Sequence, residues 1–231
     1  MIFFALKDQT KRLTIRFALT VIFSIAMAWM EASTVVYLRT LVNRIEPYQQ
    51  TPLPIINSFG VTEIVREAAT LIMLLTVSWL AGASWKSKLG LFMLAFGVWD
   101  IFYYLFLKII VGWPHSLFNW DILFLIPLPW WGPVLSPILI SIVLIILGSL
   151  LAQSEINNAT FRFGKMGWSF YLCGIFIALY VFMAHSIDVI GKGNRGGEEL
   201  PTQFNWPLFI FALFLMLMPV FEAGIRAFKS K

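Results

Sequence analysis

Cysteine is almost absent. Cys173 is the one thiol in 231 residues, so the chain has no disulfide framework and no Cys cluster for zinc or an iron–sulfur centre. It lies inside an apolar block and reads as a small buried packing residue. Histidine is nearly as scarce, with only His115 and His185. Charge is thin as well: 13% of residues are Asp, Glu, Lys or Arg, about half the roughly 25% of a soluble domain. The chain also lacks a Gly-rich phosphate loop, a G-x-S-x-G nucleophile turn and a His-Glu-x-x-His zinc motif. No internal repeat is visible, so nothing points to the inverted halves of a secondary transporter.

What is present is apolar. Hydrophobic residues make up 59% of the chain and fall in blocks of roughly 18–25, the length that crosses about 30 Å of hydrocarbon as a helix. No alternating pattern recurs, which argues against a transmembrane barrel. The composition therefore predicts an all-α membrane protein, with residues 1–231 forming one transmembrane domain. Six spans are expected at about 13–42, 62–80, 89–111, 134–152, 168–187 and 206–221. Met1–Leu6 suits a short interfacial segment before the first span. Lys11-Arg12 followed by apolar residues and Ala26-Met27-Ala28 has the outline of a signal peptide, but the apolar run continues through Val35-Val36 and predicts an uncleaved first helix.

The stretch from Gly97 to Pro137 departs from this pattern. It places Asp100 and Lys108 within an apolar run and breaks at Gly112-Trp113-Pro114. Between there and the Pro/Trp cluster, the apolar run Ile122–Ile126 is too short to span. A re-entrant or interfacial half-helix between helices 3 and 4 is the expectation. Trp113, Trp120, Trp130 and Trp131 would form its headgroup-level aromatic belt.

The net charge of +5 is spread between the apolar blocks rather than gathered in a patch, which argues against nucleic acid. Lys7, Lys11, Arg12, Arg16, Lys86, Lys88, Arg162, Lys165, Arg226, Lys229 and Lys231 fall on one side of the six-span topology. Arg39, Arg44, Arg66, Lys192 and Arg195 fall on the other. The richer side is the cytoplasmic one by the positive-inside rule, which puts both termini in the cytoplasm.

In that topology Glu31, Arg39, Arg66, Glu67, Asp100, Tyr104, Lys108 and Asp121 share the outer half of helices 1–3 and the segment after them. An ionisable group at the centre of a span costs about 2.5–3.5 kcal/mol on insertion scales, so it normally faces a partner or a cavity. Asp100, Tyr104 and Lys108 stand four apart, on one side of helix 3. Two explanations fit. One is an outward-facing polar pocket that binds a solute, relays protons or performs acid–base chemistry. The other is a structural set of ion pairs, Glu31 or Glu67 with Arg66 or Arg39, and Asp100 with a Tyr hydroxyl. Arg39, Glu63 and Asp121 also fit as solvated interface charges.

His115 and His185 fall at similar depth on that same side, and two imidazoles suffice for one bis-histidine b-type haem but not for two. A satisfied interfacial histidine is the plainer account of each. Glu31, Glu67, Asp100 and His115 have the ligand chemistry of several divalent ions, without a diagnostic spacing.

The segments Glu31-Ala32-Ser33-Thr34-Val35-Val36-Tyr37-Leu38-Arg39, Arg66-Glu67-Ala68-Ala69-Thr70 and Val98-Trp99-Asp100-Ile101-Phe102-Tyr103-Tyr104 resemble an uncharacterised family of bacterial multi-pass membrane proteins. Gly112-Trp113-Pro114 and Trp120-Asp121-Ile122-Leu123-Phe124-Leu125-Ile126-Pro127 carry the same likeness, which covers roughly residues 13 to 150. The resemblance implies the bacterial inner membrane and no particular activity. Two functions are consistent with these features. The chain is either a non-catalytic subunit of a larger membrane assembly, in contact with lipid and other subunits, or a membrane-embedded enzyme or transporter built on the polar cluster.

Overall fold

The computed structural model describes residues 2–41, 46–48, 58–153, 164–191 and 200–229. It contains α1 (Ile2–Leu41), α2 (Ser58–Ala81), α3 (Trp85–Val111), β1 (Trp120–Phe124), β2 (Trp130–Pro133), α4 (Leu135–Gln153), α5 (Lys165–Gly191) and α6 (Trp206–Lys229). The chain is a multi-pass α-helical membrane protein. Among the described residues α1 to α5 each carry an apolar stretch long enough to cross a bilayer, whereas the apolar part of α6, Trp206–Glu222, is shorter. At 1.5 Å per residue that part measures about 25 Å, below the roughly 30 Å of hydrocarbon. Six helices are thus present, five of them with an apolar stretch of membrane length among the described residues.

α1 is a single helix of 40 residues, within which the apolar stretch of membrane length begins at Leu13. Lys7, Gln9, Lys11 and Arg12 are good helix formers and outweigh Asp8 and Thr10, so the helix is continuous there. α3 starts where Ser84 accepts a hydrogen bond from the Ser87 amide on its side chain, and stops at Gly112, whose φ of 75° suits glycine.

α3 is the central element, packed against α1, α2 and α4. Its crossing with α4 is close because both helices present glycine. A Cβ on Gly90 would lie 2.6 Å from the Gly148 carbonyl oxygen and the Ala152 amide. α5 packs on α6 and β2, and α4 joins the two groups. The Gly174-xxx-Ala178 pair on α5 packs as expected, since a Cβ on Gly174 would lie 2.6 Å from the Ala212 carbonyl oxygen of α6. Cys173, beside it, is exposed on the outer side of α5 rather than buried in packing.

The largest departure from the sequence-based expectation lies between α3 and α4. The segment is an antiparallel β-hairpin, not a half-helix. Asp121 pairs with Gly132 and Ile122 with Trp131, and the register shifts between Ile122 and Phe124. Proline decides against a helix: Pro127, Pro129 and Pro133 remove amide donors and restrict the residue before each. The aromatic and β-branched residues Trp120, Ile122, Phe124, Trp130 and Trp131 favour strands instead. The hairpin's backbone is satisfied by cross-strand pairing, extended by Val134 N donating to Asn119 O at 2.9 Å and Leu135 N to Leu117 O at 2.8 Å.

Candidate functional site

The hairpin sits at the end of the bundle where α1 and α3 finish and α2 begins, and polar side chains meet there in three groups. The first joins α1, α3 and β1. Asp121 is completely buried. Its Oδ1 accepts from Arg39 Nη2 at 3.0 Å and from the Ile122 amide at 2.9 Å, and its Oδ2 accepts from the Tyr104 hydroxyl at 3.2 Å. The Arg39 guanidinium also lies over the Trp113 ring, 4.7 Å from its centroid. Burial lifts the Asp121 carboxyl above the ordinary carboxylate range, opposed by the Arg39 charge and by its hydrogen bonds. Arg39 and Asp121 are therefore a desolvated ion pair and not solvated interface charges. Trp113, itself buried, is the floor under Arg39 rather than a headgroup anchor.

The second group joins α1 and α2. Arg66 pairs with Glu31 through Nη1 and, one turn back on its own helix, with Glu63. The Glu63 contact is a fork, with Nη2 to Oε2 at 2.6 Å and Nε to Oε2 at 3.0 Å. Thr70 donates to Glu31 Oε2 at 2.9 Å. Glu67, also buried, turns to the hairpin and accepts from the Leu125 amide at 2.9 Å. That bond ties α2 to the residue just beyond β1.

The third group joins α3 and α4. Asp100 is 9% exposed and accepts from the Ser141 hydroxyl at 2.8 Å, not from a tyrosine. The glycine crossing brings the two backbones close enough for this short pair, since a Cβ on Gly97 would lie 2.6 Å from the Ser141 carbonyl oxygen. Lys108 does not join its helix-mates: it is exposed and donates to the Gly112 carbonyl at 2.9 Å. Steps of four residues advance about 400°, so from Asp100 to Lys108 the direction drifts by about 80°. That is enough to leave the buried face.

The structure thus gathers Arg39, Tyr104 and Asp121 at one point, Glu31 and Arg66 at a second with Glu67 adjacent in sequence, and Asp100 at a third. His115 is exposed, with Nε2 3.2 Å from Glu46 Oε1. His185 stands edge-on to the Trp131 ring, with centroids 6.4 Å apart. Among the described residues no three His, Cys, Asp or Glu side chains gather as a metal site. Thr70, Ser141 and the Leu125 amide belong to the network without having been singled out in the sequence, and Glu63, read there as a solvated interface charge, pairs with Arg66. The Glu63-x-x-Arg66 spacing was the one legible sign of them. Among the described residues the buried Arg39 Nη1, Trp99 Nε1 and Trp130 Nε1 have no hydrogen-bond partner within the chain.

Fold and site together define the class: a multi-pass α-helical membrane protein with buried polar and charged residues in its helices. No family model, no curated protein and no solved structure matches this chain.

Proposed function

We propose that this chain is a non-catalytic subunit of a larger assembly in the bacterial inner membrane, with both termini cytoplasmic and the polar cluster in the outer half of α1 to α3. The observation that carries this is how the cluster's charges are used. Arg39 is taken by Asp121, Arg66 by Glu31 and Glu63, Glu67 by the Leu125 amide and Asp100 by Ser141. Apart from Arg66–Glu63 within α2, each contact fastens one element to another, so the polar residues act as internal fasteners. Outside them, α1 and α2 present large apolar side chains such as Leu19, Ile22, Met30, Val65 and Ile72, a surface suited to lipid and to other membrane helices. The lysine and arginine asymmetry supports the orientation, and the likeness of residues 13 to 150 supports the bacterial inner membrane.

One observation favours a second reading. Two carboxylates, Glu31 and Glu63, pair with Arg66, and a third, Glu67, follows it on α2. An excess of acid at that depth fits a membrane-embedded enzyme or a proton or small-solute transporter. Purification from its native membrane in mild detergent separates the two. Stable co-purifying membrane proteins support the subunit, and a monodisperse lone species overturns it. The same preparation tests the histidines, since a haem held by His115 and His185 gives a Soret band.

A further inference from the structure

Tryptophan gathers at the boundary between hydrocarbon and headgroups, because its ring is apolar and its N–H is not. The tryptophans expected at that level beside the hairpin are engaged by the protein itself. Trp113 is buried, and Trp120, Trp130 and Trp131 are half-buried against other rings. The opposite end of the bundle differs. Trp79, in the last turn of α2, and Trp85, the first residue of α3, are 41% and 65% exposed. Their rings meet edge to face, with centroids 4.9 Å apart.

A lysine joins the pair. Lys88 Nζ lies 4.7 Å from the centroid of the Trp79 ring, and Lys86, near it in sequence, is exposed. A lysine in this position lays its stem on apolar surface and keeps its charge at the aqueous boundary. Its charge is complementary to lipid phosphate, as the rings are to the apolar side of the same boundary.

Helix length places the cluster. α3 has 27 residues, about 40 Å at 1.5 Å per residue, close to the roughly 40–45 Å of a bilayer with its headgroups. With the hairpin at its far end, a helix of that length reaches the headgroup layer of the other leaflet at Trp85. The apolar stretch of α2 ends at Ala81, at the same turn.

We infer that the turn between α2 and α3 is an interfacial anchor: Trp79 and Trp85, with Lys88, lie among the phospholipid headgroups of the leaflet opposite the hairpin. The inference rests on the chain being a membrane protein. It does not depend on the subunit role.

The test is depth-resolved quenching of tryptophan emission from the full chain in phosphatidylcholine vesicles. One vesicle lipid carries bromine on its acyl chains near the headgroup, the other near the methyl end. Trp79→Phe with Trp85→Phe removes two of the ten tryptophans and keeps an aromatic ring at each position. The emission lost in that variant belongs to the pair. It is expected to be quenched about twofold more by shallow bromine than by deep bromine, as interfacial rings require. Equal quenching, or stronger quenching by deep bromine, overturns the anchor by placing the rings in hydrocarbon. No quenching by either lipid also overturns it, since the turn is then in water or under another subunit. Trp85→Phe alone, at the more exposed ring, gives the same reading should the double variant fail to fold.

Discussion

Arg39, on the last turn of α1, and Asp121, on β1, are joined by a hydrogen-bonded ion pair of 3.0 Å across 82 residues of sequence. Among the described residues neither side chain forms another salt bridge. Asp121 has no exposure at all. The pair determines where the hairpin sits, because the Tyr104 hydroxyl holds the other carboxylate oxygen from α3.

Asp121→Asn is therefore expected to destabilise the protein by about 3 kcal/mol, since it keeps the shape but leaves the Arg39 guanidinium buried without a counter-charge. Arg39→Met with Asp121→Asn should cost less than the sum of the two single changes. The measurement is a denaturation midpoint in detergent for all four proteins. Additive losses would mean that the pair is not coupled.

Around Arg66 the asymmetry runs the other way. Glu31→Gln should be mild, about 1 kcal/mol, because Arg66 keeps its fork to Glu63 and Thr70 keeps an acceptor. Arg66→Met removes the cation paired with both Glu31 and Glu63 and should cost about 3 kcal/mol or more. Thermal unfolding of the two variants side by side ranks them.

The α3–α4 crossing tolerates no side chain. Gly148→Ala puts a methyl group 2.5 Å from the Gly90 carbonyl oxygen, which is backbone and cannot swing aside. A loss of about 1–3 kcal/mol is expected from overpacking. Cys173→Ala, on the exposed side of α5, should leave the midpoint within about 0.5 kcal/mol.

Asp100→Asn discriminates between the two functional readings. The amide oxygen still accepts from Ser141, so stability should change by less than about 1 kcal/mol. For a subunit, co-purification of partners should then be unaltered. Partners retained but host physiology lost would instead mark Asp100 as a working acid.

Much of the helical architecture was legible along the chain. A span announces itself by length and apolarity, because a backbone in lipid must satisfy its own hydrogen bonds. The end of α3 followed from the break at Gly112, whereas its start at Trp85, capped by Ser84, lies one turn before the expected residue 89. The hairpin was less legible, since five apolar residues such as Ile122–Ile126 suit a strand and a helix fragment equally well. The prolines after them carried the deciding information. At the site, Glu31 with Arg66 was foreseeable as one pairing among several. Asp121 was not foreseeable as buried, because a lone Asp beside a Trp is equally at home at an interface.

Composition and block length by themselves determined that this protein lives in a bilayer and crosses it several times as helices. They also determined that charges within the spans must find partners. Tertiary structure decided which partners: Arg39 takes Asp121, Arg66 takes Glu31 and Glu63, and Asp100 takes Ser141. The physical reason is range. Hydropathy acts residue by residue and can be summed along the chain, whereas an ion pair across 82 residues exists only once helices and hairpin have packed into register.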